Sequence, residues 1–181
     1  LMDMRSFWRV SVRLGLLAKA LGRRHPQAGE LQSIFTCGLL HEVGRLVIYA
    51  KIPELARAAM LLADSDGIEE TQAERQIYGF DHYQLAAELA LRWRLPEVFV
   101  ATLRWHGSPE EAESFPLETG LVTLASRLSL AEIEKPAQLE PILPSLTPLL
   151  AFLRLQAHSL AEVLEEVAVQ FEEIFRLLFQ K

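Results

Sequence analysis

Along most of the chain, apolar residues recur at three- and four-residue intervals, the period of a helix with one buried face. Phe7, Val10, Leu14, Leu17, Ala18 and Leu21 set the pattern over residues 6–24. His25-Pro26 ends it, because a residue before proline is pushed out of the α region. A second helix is expected from about Glu30 to His41, then a break or bend at Gly44 and a short helix over 45–51. Pro53 suits the first position of the next helix, where its missing N–H is not needed. That helix ends at the turn Asp64-Ser65-Asp66-Gly67. Thr71 and Glu74 have capping-box spacing and start or restart a helix that stops at Gly79. Asp81 caps another, and Leu95-Pro96 separates it from a helix over 97–106. Ser108-Pro109, with Glu111, is a capping signal before a short turn. A further helix is expected over 117–133.

Pro136, Pro141, Pro144 and Pro148 mark a stiff connector. After it come a helix near 148–155 and a long one from Ser159 to about Phe179. The long one carries a capping box at Ser159 and Glu162. Its stripe is Leu160, Val163, Leu164, Val167, Phe171, Ile174, Phe175 and Leu178. It is too short to sustain a coiled-coil heptad, so packing on its own domain is the expected use of the stripe. Strand alternation never persists, and no repeat of about 20 to 50 residues occurs. The pattern predicts an all-α bundle of about seven to nine helices. Residues 1–135 would form the core, and residues 136–181 a connector and amphipathic helices packed on it or at an interface.

Composition narrows the class. The chain has 181 residues, 50% of them hydrophobic and 23% charged. This suits one folded domain and excludes a disordered chain. No run of about 18 residues is free of charge, so no membrane span is expected. A single cysteine, Cys37, excludes a disulfide scaffold. A formal net charge of -6 argues against a general nucleic-acid binder. Residues 1–60 nevertheless carry nine Lys and Arg against four acids, +5, leaving -11 for the remainder. Such opposed fields suit solvated helix faces, or self-association or an oriented partner. The chain begins at Leu1 and shows no basic-then-apolar secretion signal. The expectation is a fragment of a longer cytoplasmic protein.

The candidate chemistry is sparse. Cys37 lies in the apolar run Ile34–Leu40 and reads as a core cysteine. His41, one turn on, is the one neighbour that could activate it. No phosphate-binding glycine loop is present, and His41-Glu42 is not followed by the second histidine of a zinc-protease helix. Of five histidines, His25 sits in a polar turn and His158 just before a helix, so both are expected in solvent. His41, His82 and His106 each lie at a helix boundary beside apolar sequence. They could converge with Glu42 on zinc, iron or manganese, or each could be a partly buried histidine bonded to backbone or a neighbour.

Several motifs occur in order. Gly38-Leu39-Leu40-His41-Glu42-Val43-Gly44-Arg45-Leu46 resembles the G-L-L-H-D-I-G-x-L signature of the HD superfamily. Phe7-Trp8 with Ser11, Glu74, Gly79, Asp81-His82, the Ala86–Leu89 run, Trp93-Arg94-Leu95-Pro96 and Trp105-His106 are similar to the HDOD branch, HD-related output domains of bacterial signalling proteins. The resemblance spans about residues 6 to 130. It implies an HD-type helical bundle related to metal-dependent phosphohydrolases, among them cyclic di-GMP phosphodiesterases. By the same resemblance, Val10 stands where the catalytic relatives have an early histidine, and Glu42 replaces the doublet's aspartate. Trp105 replaces the first of a histidine pair, and Ser126 a late aspartate.

A binuclear phosphodiesterase centre needs those anionic oxygens to hold two dications and a hydroxide. The resemblance therefore implies a degenerate site: no catalytic residue and no cofactor, or at most one iron, manganese or zinc ion on His41, Glu42, His82 and His106. Trp8, Gly38, Gly44, Trp93 and Pro96 are then structural. Gly38 would permit close helix contact, Gly44 the bend after the doublet, and the tryptophans large core or groove surface. Glu42 could pair with Arg45.

The implied role is a non-catalytic regulatory domain that binds signalling proteins, a preceding part of its own module, or a second copy. Arg13, Arg23 and Arg24 would steer an acidic partner. The alternative is a residual phosphohydrolase or cyclic-dinucleotide-binding domain, with Arg45 meeting phosphate. An apolar patch on the order of several hundred Å² is expected near the first helix, because relatives place a further bundle ahead of it.

Overall fold

The computed structural model describes residues 3–27 and 31–179, with side chains through Leu177. Every long element among them is helical. The first, α1 (Met4–Arg23), begins where the Asp3 side chain accepts the Ser6 N–H at 2.9 Å. Its residues Leu14, Leu17, Ala18 and Leu21 are fully buried, and α1 is the axis of the bundle. It packs on α2 (Ile34–Leu40), on α8 (Pro116–Leu130) and on α10 (Ser159–Phe179). Each fully buried leucine contributes about 2 kcal/mol of apolar burial. One continuous core joins α1 and α2 to Leu103, Leu121, Leu124 and Leu128. It also takes in Leu146, Leu150, Leu160 and Leu164 of the last two helices.

Two glycines set helix spacing in the HD-like half. A Cβ on Gly38 would lie 2.8 Å from the Gly15 Cα, so α2 rests directly on the α1 backbone. A Cβ on Gly44 would fall 2.0 Å from the His82 carbonyl oxygen. Gly44 therefore serves a contact and not a bend. It lies inside α3 (Val43–Lys51), and the chain breaks earlier, at His41 and Glu42 (φ -101°, ψ 14°). That break turns α3 onto α6 (His82–Arg92).

Between them, α4 (Pro53–Asp66) and α5 (Glu70–Tyr78) form a hairpin that buries little apolar surface: Ala56 and Ala59 from α4, Ala73 from α5. Its contribution is to carry Glu70 and Glu74 toward α3 and α6. Asp81 and Gln84 form a reciprocal capping box that fixes His82 as the first residue of α6. The next helix, α7 (Glu97–Trp105), ends at His106, whose carbonyl accepts the Thr123 hydroxyl of α8 at 2.7 Å.

Several local expectations fail for physical reasons. Thr71 is not a cap: α5 starts one residue before it, behind Glu69, with no side-chain cap bond. Ser159 forms no capping box; its hydroxyl donates to the Gln156 carbonyl at 2.7 Å. Pro144 and Pro148 lie within α9 (Leu143–Phe152) instead of a connector ahead of it. The former sits in the first turn, where no N–H is required. His25 is 8% exposed, and its Nδ1 accepts the Gln27 N–H. Val10 is 44% exposed at the edge of the α1 stripe, while Trp8 and Trp93, at 37% and 51% exposed, lie outside the core, the first of the two placements open to them. The expected start of α2 at Glu30 and the Leu178 side chain lie outside what is described.

Candidate functional site

The break between α2 and α3 places His41 and Glu42 on the inner wall of a cavity of about 470 Å³. Val10 and Ser126 line the same cavity, so four positions that the HD resemblance assigns to metal ligation gather at one place. Phe7, Leu14 and Leu130 supply apolar wall; Arg45, Tyr49 and Glu70 supply the polar floor.

Arg45 organises that floor. Its Nε donates to Glu42, its Nη1 pairs with Glu70, and its Nη2 lies 3.1 Å from His82 Nε2. His82 Nδ1 lies 2.7 Å from Glu74 Oε2, and the carboxylate can only accept. The His82 proton is therefore on Nδ1, and Nε2 accepts from the guanidinium. Glu74 also takes the His82 backbone N–H at 2.9 Å and is 1% exposed.

Burial is the largest single effect on Glu42 and opposes its ionisation, but Arg45 and the neighbouring histidines together outweigh it and hold the carboxyl at about 2. Burial equally opposes the Arg45 charge, and Glu42 and Glu70 more than restore it. Both groups are charged at neutral pH. For Glu74, too, burial is overcome, here by hydrogen bonds from His82, and its pKa lies below the ordinary value.

The other two imidazoles pack against each other. His41 Nδ1 donates to the Gly38 carbonyl at 2.8 Å and His106 Nδ1 to the Thr102 carbonyl at 3.1 Å. Their rings meet edge to face at 5.8 Å. Burial lowers both pKa values, that of His106 to about 3, so both are neutral at pH 7. His106 Nε2 is buried without a hydrogen-bond partner.

Tyr83 touches both His82 and His106, at 4.1 and 4.7 Å between ring centres. Its ring occupies the space where a Cβ on residue 107 would stand, which only Gly107 leaves open. The structure thus brings His41, Glu42, His82 and His106 into one neighbourhood without a common coordination point. Among the described residues no group of three or more His, Cys, Asp or Glu is placed to hold a metal ion. The donor set does not fit a metal here. The Nε2 of His82 and the oxygens of Glu42 and Glu70 already converge on a cation, the guanidinium.

Glu70 and Tyr83 escaped sequence reasoning. Neither belongs to a motif, and only the α4–α5 hairpin brings Glu70 to Arg45. Arg13, Arg23 and Arg24, expected to face a partner, are engaged within the chain. Arg13 donates to the Ile133 carbonyl, Arg23 pairs with Glu166, and Arg24 pairs with Glu162 and Glu166.

The fold and this site define an HD-type helical domain. The chain belongs to the HDOD domain family, whose model matches residues 1–109. It is 28% identical over 166 residues to an uncharacterized protein of Treponema pallidum (strain Nichols), covering 86% of this chain and 30% of that protein. Among solved structures it is similar to a candidate phosphohydrolase from Shewanella amazonensis SB2B (TM-score 0.82, 25% identity, 98% of this chain and 65% of that one). It shares its fold with an HDOD domain protein of unknown function from Geobacter sulfurreducens (TM-score 0.73, 22% identity, 99% and 64%). The chain thus spans less than two thirds of the length of each of these proteins. No helix among the described residues is long and apolar enough to cross a membrane.

Proposed function

We propose that this domain is a non-catalytic regulatory module of bacterial signalling that works by binding other protein surfaces. The observation that carries the reading is Arg45. In a catalytic HD site the carboxylates and imidazoles are balanced by metal ions, which also generate the nucleophile. Here a guanidinium supplies the balancing charge and cannot activate water, since it does not give up a proton near neutral pH. Exposed apolar surface supports the interaction role: Val10 and Leu130, which line the cavity, are 44% and 81% exposed, and Met4 and Trp8, also on α1, are 47% and 37% exposed. The partner would be a signalling protein, another part of the same module, or a second copy, and the setting the cytoplasm.

Elemental analysis of untagged protein, paired with a generic phosphodiester assay in added manganese, tests this. The expected result is no stoichiometric metal and no turnover. Stoichiometric iron, manganese or zinc, lost in His41→Ala and His82→Ala together with turnover, would establish the residual phosphohydrolase instead. The similarity to the Shewanella protein is what keeps that second reading worth the assay.

A further inference from the structure

We propose that the cavity between α1, α3 and α8 receives a cationic group on an apolar stem, an alkylammonium or alkylguanidinium, and excludes phosphoesters. Three carboxylates line it, Glu42, Glu70 and Glu132, against one cation, Arg45. The Arg45 fork is already committed to Glu42, Glu70 and His82. Little of it remains for a phosphate, which would also face the excess of carboxylates.

An independent observation shows that the wall is prepared for a polar guest. Ser11, on the α1 side, is 1% exposed, and its Oγ has no hydrogen-bond partner in the protein. A buried hydroxyl without a partner is destabilising, and an N–H donor entering the cavity would satisfy it. Phe7, Val10, Leu14 and Leu130 suit the methylene stem of such a group, which buries its carbons and leaves its head on the polar floor. The same chemistry is offered by a free alkylamine or by a lysine or arginine side chain of a partner.

Nuclear magnetic resonance titration at constant ionic strength tests this on the intact chain, with n-butylguanidinium, n-butylammonium and n-butyl phosphate as probes. Saturable shifts at Ser11 and Ser126 are expected with both cations and none with the phosphate. Val10→Trp fills the mouth from a half-exposed position and should abolish them. Glu132→Gln should weaken them about three- to fivefold, and thermal melts establish that both variants fold. A capped Leu-Arg-Leu peptide that binds more tightly than n-butylguanidinium would identify the source as a protein side chain; the reverse order would identify a free amine. Saturable n-butyl phosphate binding, or no saturation by either cation, would overturn the proposal. Neither result touches the non-catalytic reading, which only phosphodiester turnover overturns.

Discussion

The Arg45 guanidinium donates to His82 Nε2 at 3.1 Å, on the side of the ring opposite the Glu74 bond. The imidazole is thus held between a carboxylate and a cation. A carboxylate on one ring nitrogen is the arrangement that orients a histidine toward a metal on the other, and here a guanidinium stands where the metal would.

Replacing Arg45 with alanine removes the cation and leaves two partly buried carboxylates and a free imidazole nitrogen facing the same space. Removing one partner of a buried pair is costly because the other charge remains. We expect Arg45→Ala to lose about 2–4 kcal/mol in urea unfolding, tempered by the partial exposure of Glu70. The variant should also gain zinc or manganese binding that the parent lacks, measurable by calorimetry. If the variant bound no metal, Arg45 would be an ordinary salt-bridge residue and the substitution argument would fail.

Glu74 tests the other side of His82. Its Oε2 accepts two N–H groups of that residue, and Glu74 is 1% exposed. Glu74→Ala leaves both donors unpaired, at a cost of about 2–4 kcal/mol. Glu74→Gln keeps an acceptor oxygen and should recover at least half of that. Equal losses in the two variants would show that packing, not hydrogen bonding, sets the role of this position.

Gly44 and Gly67 separate a contact from a conformation. Alanine at Gly44 would drive its Cβ to 2.0 Å from the His82 carbonyl oxygen, so α3 must leave α6. Backbone cannot move aside cheaply, and we expect a loss of about 3 kcal/mol or more in urea unfolding. Alanine at Gly67 meets nothing within 4 Å, but φ is +62° there. Its cost is the left-handed conformation alone, about 1 kcal/mol. Similar losses at the two sites would refute the close α3–α6 approach.

The bundle and the helix order were legible because apolar period and punctuation agree: Asp81, Pro53 and Gly79 all act where local chemistry puts them. The errors fell where tertiary structure decides. Thr71 has cap spacing, yet α5 begins before it. Nothing local distinguishes Gly44 as a spacer from Gly44 as a hinge, since the carbonyl it must approach is 38 residues away in the chain. The Glu42–Arg45 pair was visible from its spacing within one turn. Glu70 was not, because a hairpin of weakly patterned helices delivers it. His25 was misplaced because a polar turn in sequence became a buried one once the chain folded over it.

Cys37 gives a prediction about reactivity and pH. Burial pushes its thiol from 9.0 up to about 12, and the Thr102 hydroxyl beside it only partly offsets this. The folded value lies above the unfolded one, so the Cys37 contribution to stability is full below pH 9. It fades as pH rises from there toward 12, where the unfolded chain gains the thiolate first. In native buffer at pH 8, labelling by a thiol reagent should therefore proceed only through unfolding. Its rate should follow urea concentration as the global transition does. Fast labelling without denaturant would show that α2 opens locally.

The last prediction concerns the basic end of α1. Arg24 Nη1 lies 3.0 Å from Glu166 Oε2 and 3.0 Å from the Ala20 carbonyl, with Glu162 at 3.7 Å from Nε. Arg23 shares Glu166 but is about half exposed. The positive excess of residues 1–60 is thus partly spent on the acidic face of α10 within the chain. A double-mutant cycle with Arg24→Gln and Glu166→Gln should give a coupling of about 1 kcal/mol, and one with Arg23→Gln clearly less, because exposure and screening weaken it. Both couplings should shrink as salt is raised, since exposed pairs are screened within about 10 Å at 0.1 M. A coupling near zero for Arg24 would mean that its charge is free for a partner, and the opposed fields of the two ends would then act between molecules and not within one.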